Sequence, residues 1–320
     1  MMDRMTVAGV LGAKCFAIGL AASMVSGAAA ESVGFVAETP AGNRAVAMLD
    51  SLAIGRLGGG DGMRLAMAIE RALAQPGPDG QPHFDLMAGR RGGGADADGV
   101  LDGAVISEVQ ENRVKLERNR CIEGSDKDCK KRGNVELDCR RRVLSVRADL
   151  RVVGNADGRI LYAEQHPRRE EVSWCPGDTS PVGVEDRVSA MIDTIAAEVR
   201  DDLTPRAERV NIRFREGRKG MDKAAGERFK QAIRLTQRDL RAACGEFDAI
   251  EAAMPGHPSV VFNRALCAEA ADSLEQARTI YAAASAIEPR ASDIREALSR
   301  VEATMTARAD AAERRAARGG

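Results

Sequence analysis

Six cysteines carry the most evident chemistry in this 320-residue chain: Cys121, Cys129, Cys139, Cys175, Cys244 and Cys267. Four thiolates suffice for a tetrahedral zinc ion, whereas an even set of thiols in an oxidising compartment closes disulfides. No Cys-x-x-Cys pair is present, so disulfides are the leading reading and a cysteine-held zinc is the alternative. His83, His166 and His257 stand far apart in sequence, each beside a proline. No nucleophile elbow, His-Glu-x-x-His helix or nucleotide motif accompanies them, so no catalytic residue, metal ligand or cofactor is assigned and the chain is read as a non-enzyme. Asp96, Asp98 and Asp102 are spaced for a cation, but the twelve-residue calcium loop with its closing glutamate is missing. The stretch GRLGGGDG opens a helix as phosphate loops do, yet it lacks the Lys-Ser/Thr ending, and a plain turn is the simpler reading.

These residues must be placed by the elements around them, and first by a compartment. Arg4 and Lys14 precede an apolar run from Cys15 to Val25, and Ala28-Ala29-Ala30 supplies the small residues of a cleavage site. Residues 1–30 therefore read as a signal peptide. Lys14 before Cys15 argues against a lipid anchor, and no later apolar run is long enough to cross a bilayer. The expected location is periplasmic or secreted, where the six remaining cysteines pair. With 47 basic against 48 acidic residues and one tryptophan, the composition favours neither nucleic acid nor an anionic membrane as a partner.

After residues 31–43, a flexible lead-in or an edge strand, the segment RAVAMLDSL from Arg44 reads as a first strand, although its alanine and methionine content permits helix, and Asp61 is placed to cap a helix bearing Leu65, Ile69, Ala72 and Leu73 on one face. Phe84–Ala88 is a short strand, GRRGGGADADG a loop, and Val100–Val109 a strand. Leu144, Val146, Ala148, Leu150 and Val152 alternate with polar residues, and Asn155-Ala156-Asp157-Gly158 turns the chain back through Ile160–Ala163. Together they make a hairpin. Folding it about Asp157 sets Cys139 opposite Cys175, which leaves Cys121 with Cys129 among three possible connectivities. Val184–Leu203 is an amphipathic helix, and Val210, Ile212 and Phe214 alternate as a last strand of a mixed-sheet α/β domain spanning 44–217.

Beyond a short linker, Ala243, Phe247 and Pro255 recur as Ala277, Tyr281 and Pro289, each pair 34 positions apart. A small residue lets helices approach, an aromatic one turn later fills the gap between hairpins, and proline closes the unit. With Phe262-Asn263-Arg264-Ala265, Asp272-Ser273 and Ala284 in order, residues 223–289 resemble the tetratricopeptide repeat family. Two departures stand out: Ala268, where that family usually has a large aromatic, and Asp272, where it favours glycine. The expected fold is thus α+β, an α/β domain followed by an all-α stack of helical hairpins at 221–310, with 311–320 a flexible tail. Cys244 and Cys267 lie twelve and eleven residues either side of Gly256, level on two antiparallel helices, and are expected to bridge. The resemblance implies a concave groove in which Asn263 and Arg264 contact a peptide.

The front domain, through RAVAMLDSL, GDGMRLAMAIERAL, FDLMA, ADGVLDGAVISEV and the hairpin, resembles the α/β domain of the curli assembly component family and the amino-terminal part of the Tol translocation protein TolB. No long amphipathic hairpin of the outer-membrane barrel kind is read, so a secretion pore is not implied. The two resemblances imply an envelope adaptor that binds a protein or peptide segment, with no nucleic acid and no membrane insertion. In the rival reading the helical hairpins pack within the chain and the groove is filled by its own residues.

Overall fold

The computed structural model describes residues 31–88, 96–125 and 127–318. The expected signal peptide, and the part of the expected loop at 89–95, lie outside them. The fold is α+β with a helical carboxy-terminal part, as expected.

Strands β1 (Ser32–Thr39) and β7 (Arg206–Arg213) pair antiparallel as a ribbon of their own. The main sheet has the order β3-β2-β4-β5-β6, from β2 (Ser51–Gly58), β3 (Asp85–Ala88), β4 (Gly99–Gly124), β5 (Cys129–Gly154) and β6 (Ile160–Trp174). β2 runs parallel to β3 and β4, and β4, β5 and β6 are antiparallel. The expected stripe on β5, Leu144 to Val152, is buried, and it packs under α2 (Gly62–Leu73) and α3 (Val184–Leu203). Those helices bury Leu65, Ile69, Leu73 and Ile192, Ile195, Val199 at their 3.6-residue spacing. At Gly59, φ is +91°, and a Cβ there would collide with the Val105 carbonyl oxygen, so the turn onto α2 requires glycine.

Three expectations for this domain need correction. The segment RAVAMLDSL is not one strand: Arg44–Ala47 forms a single helical turn, α1, because Asn43 caps it by accepting from the Val46 N–H at 3.0 Å. The strand starts only at Ser51 and continues through GRLG. Asp61 makes no side-chain cap on α2; it faces Arg64 at 3.3 Å instead. The largest change is in the hairpin of β4 and β5, whose strands are 26 residues each. Sequence reading stops the first strand at Val109, because apolar alternation fades there and charge takes over. Cross-strand register, unbroken from Gly99↔Gly154 to Cys121↔Arg132, continues it. β2 leaves β4 at Ala104 and β6 leaves β5 at Arg140, so the distal half of the hairpin outlasts its neighbours as a two-stranded arm.

Five helices complete the chain: α4 (Lys223–Leu235), α5 (Leu240–Ala253), α6 (Pro258–Ala270), α7 (Leu274–Ile287) and α8 (Ser292–Arg318). Asp222 and Asp239 cap α4 and α5 through the N–H groups of Ala225 and Ala242, and Pro258 opens α6. Ala243, Phe247, Ala277 and Tyr281, the residues of the 34-position spacing, are all fully buried. The turn between α6 and α7 places Asp272 at φ +61°, the left-handed region that glycine tolerates best. The expected flexible tail is helical through Arg318 and docks on the front domain, an outcome its alanine- and arginine-rich sequence does not display.

Candidate functional site

All six cysteines are joined in the three pairs read from sequence: Cys121–Cys129, Cys139–Cys175 and Cys244–Cys267, with Cα separations of 5.6, 4.2 and 5.8 Å. Among the described residues no thiolate is left for zinc, and no group of three or more His, Cys, Asp or Glu side chains could hold a metal ion. Cys121–Cys129 closes the tip of the arm. Cys139–Cys175 pins the segment after β6 across the arm's back, where Asp178 pairs with Arg120 and the Val182 carbonyl accepts from Arg142 at 3.0 Å. Val114, Leu116, Val135 and Leu137 are half-buried there. A lone two-stranded ribbon is marginal in water, and two covalent bonds replace the core this one lacks.

Asn263 is fully buried, and its amide bonds a peptide backbone. Oδ1 accepts from the Arg215 N–H at 2.8 Å and Nδ2 donates to the Arg215 carbonyl at 2.9 Å. The peptide is the chain's own. The β1–β7 ribbon and the residues after it enter the helical core, with Val33 and Phe214 buried and Phe35 and Ile212 partly so. Phe214 stands 5.8 Å from Phe247, which stands 5.7 Å from Phe229. Arg264 is turned to α5, donating to Asp248 at 2.6 Å. Asn263 is therefore not an open contact for a partner; the ribbon's alternation was legible, its destination was not.

Residues not singled out from the sequence hold this clasp. Arg215 donates to Asp293 at 2.6 and 2.7 Å and to Glu288, and its guanidinium lies 4.6 Å over the Phe262 ring. Glu269, 4 % exposed, accepts two bonds from Arg300 at 2.7 Å and one from the Tyr281 hydroxyl at 2.9 Å. Burial foremost, then the Glu269 charge, push the Tyr281 hydroxyl above its ordinary range, so it serves as a donor. The available signal was a glutamate on the otherwise apolar stretch of α6, twelve positions before that tyrosine.

The three histidines stay apart. His257 faces the Lys219 carbonyl at 3.2 Å. His166 is buried between β6 and α3 in a group with Tyr162, Asp202 and Glu198: the Tyr162 hydroxyl donates to Asp202 at 2.8 Å and lies 2.8 Å from His166 Nε2. Burial raises the Tyr162 hydroxyl and lowers the His166 imidazole, so this group holds the sheet against α3 as a donor–acceptor chain. Asp98 accepts from the N–H groups of Asp50 and Ser51, and Asp102 pairs with Arg151, which occupies two of the three carboxylates spaced for a cation.

His83 lies where α8 meets the front domain. Its Nε2 is 2.8 Å from the Ala47 carbonyl, so that nitrogen carries the proton and Nδ1 accepts from Arg314 at 3.3 Å. Burial, then the Arg314 and Arg318 charges, lower its pKa from 6.5 to about 4. Between those values the unfolded chain takes up a proton at this site that the folded chain refuses. Stability present above pH 6.5 is thus lost as pH falls toward 4, by on the order of 2–3 kcal/mol. Urea midpoints at pH 7 and 4.5 should fall further apart for the native protein than for His83→Gln.

No family model matches the chain, and no curated protein matches it. Among solved structures it is similar to a PelC dodecamer from Paraburkholderia phytofirmans, at 16 % identity over 54 % of this chain and 98 % of that one, with a TM-score of 0.27. A second crystal form, of a point variant, gives 15 % identity with the same coverage and TM-score. At that score the likeness carries no argument about fold or function. No helix among the described residues is long and apolar enough to cross a membrane.

Proposed function

We propose that this is a non-enzymatic structural component of the cell envelope, exported by a cleaved signal peptide, which acts by contacting other polypeptides. The observation that carries this reading is the bond pair between Asn263 and Arg215: the groove that the tetratricopeptide resemblance offers to partners is filled by the chain's own ribbon. Three disulfides fit an oxidising, extracytoplasmic location. The free contact element is the arm. Residues 113–142 hold eleven Lys and Arg against six Asp and Glu, and among the described residues neither outer edge of the ribbon beyond Ala104 and Arg140 has a strand partner. Cationic edges of this kind resist random strand pairing while remaining open to a complementary surface.

The test is site-specific photocrosslinking in intact cells, with a photoreactive residue at Glu117 on the arm or at Gln231 on α4, both exposed. Polypeptide adducts from position 117 and none from 231 are expected. Adducts from 231 alone would return the function to the helical surface, and none from either would remove the contact role.

A further inference from the structure

Like charges set directly across two strands repel, and one face of the arm carries two such rungs. Cross-strand register places Arg113 opposite Arg140 and Glu117 opposite Glu136, with Lys115 opposite Asp138 between them. All six side chains are exposed. Lys115 reaches Glu136 at 2.7 Å, while Arg140 comes only within 4.0 Å of Glu111, which Arg142 already holds at 2.6 Å. Arg113, Glu117 and Asp138 enter no ion pair among the described residues. One chain leaves this pattern unbalanced. A second arm, run antiparallel beside the first, brings each positive rung against a negative one.

The open edge of β4 fixes the same alignment independently. β2 leaves β4 at Ala104, and Gly59 lies against the Val105 carbonyl, so among the described residues the outer edge is free from Ile106 to Gly124. Lys115 is the midpoint of that stretch. Two copies paired about a two-fold axis at Lys115 use the whole free edge of each, and they set Arg113 opposite Glu117 of the second copy at both ends. On the back of the arm the same register sets Val114 opposite Leu116 of the second copy, which extends the half-buried row of Leu116 and Leu137. Lys115 meets its own mate on the axis, with its charge already answered by Glu136. The edge of β5 offers no equal: a two-fold at Asp138 would set Leu137 against the Cys139 cystine and Val135 against Arg141.

We infer that two copies of this chain associate through β4, the edge from Ile106 to Gly124 pairing antiparallel with the same edge of the second copy, so that two arms form one four-stranded sheet. The inference rests on the arm being the contact element and names its partner, a second copy of the chain. An unpaired edge is a template for strand addition, and here charge and free length select one register.

Sedimentation velocity of the oxidised full chain over a range of concentrations tests the pairing. A monomer–dimer equilibrium is expected, with a Kd on the order of 1–10 μM, the weak end of specific interfaces. Arg113→Glu and Glu117→Arg each turn both cross-copy contacts repulsive while relieving the like-charged rung inside their own chain, so neither should unfold the arm. Each alone should raise the Kd at least about tenfold. An equimolar mixture of the two variants should associate as the native chain does, because each supplies the charge the other lacks. Native-like association of either variant by itself, or a mixture that stays monomeric, would overturn this register. A native chain still monomeric well above the expected Kd would overturn the pairing itself. In that case adducts of other polypeptides at position 117 would leave the contact role of the arm standing, so the two readings fail separately.

Discussion

Glu269→Ala lowers the unfolding free energy by about 3–5 kcal/mol, the range for stripping one partner from a buried ion pair. The carboxylate is 4 % exposed and meets Arg300, itself 16 % exposed, through two parallel bonds. Alanine leaves that guanidinium facing α6 and α7 with no counter-charge, and it orphans the Tyr281 hydroxyl in the same step. The remaining attraction, the Phe35 ring 5.6 Å beneath Arg300, is worth about 1 kcal/mol and does not compensate. Glu269→Gln keeps an acceptor for Tyr281 and for one guanidinium N–H, so about half the loss is expected. The decisive variant is Glu269→Met with Arg300→Met, which removes both charges and should recover most of the stability. Urea unfolding of the four proteins reads the series. A double variant as unstable as Glu269→Ala would mean that packing volume, not charge, sets the cost.

The network shows where sequence reading stops. The 34-position spacing located the inner faces of the hairpins because Ala243, Phe247, Ala277 and Tyr281 are repeated by necessity: each unit must bury the same contact against its neighbour. The disulfides were legible for a related reason, since Cys139 and Cys175 flank a hairpin whose register follows from one alternating stripe. The arm was not legible, because beyond Val109 its strands are held by each other and by cystines, and the alternation that remains, Val114 with Leu116 and Val135 with Leu137, is too short to stand out among the charges. Nor was the docking of α8. Arg314 and a solvated arginine look alike in a sequence, and only the carbonyls of Leu49 and His83, more than 230 positions away, tell them apart. For Asn263 the chemistry was legible from the side chain, an amide that meets a peptide group with one donor and one acceptor. Which peptide it meets depends on the path of β7, a long-range fact.

That peptide is the subject of the second large effect. In Asn263→Ala the Arg215 N–H and carbonyl both lose their partner beneath α6, where the neighbouring Phe214 is 1 % exposed and little water can replace the amide. Leaving buried polar groups unpaired costs about 1–3 kcal/mol each, so a loss of about 2–4 kcal/mol is expected. Asn263→Asp separates the two bonds: it keeps the acceptor for the N–H, removes the donor to the carbonyl and adds a buried charge, and should be no more stable than alanine. Stability alone would not distinguish a clasp on the ribbon from a general weakening of α6, so amide exchange at two places decides. The Arg215 amide should lose about a hundredfold in protection, while amides in the middle of β5, which rest on the front core, keep theirs at a matched global stability. If Arg215 and β5 lose protection together, Asn263 is one more core residue, and the ribbon is held by Phe214 and Val33 without it.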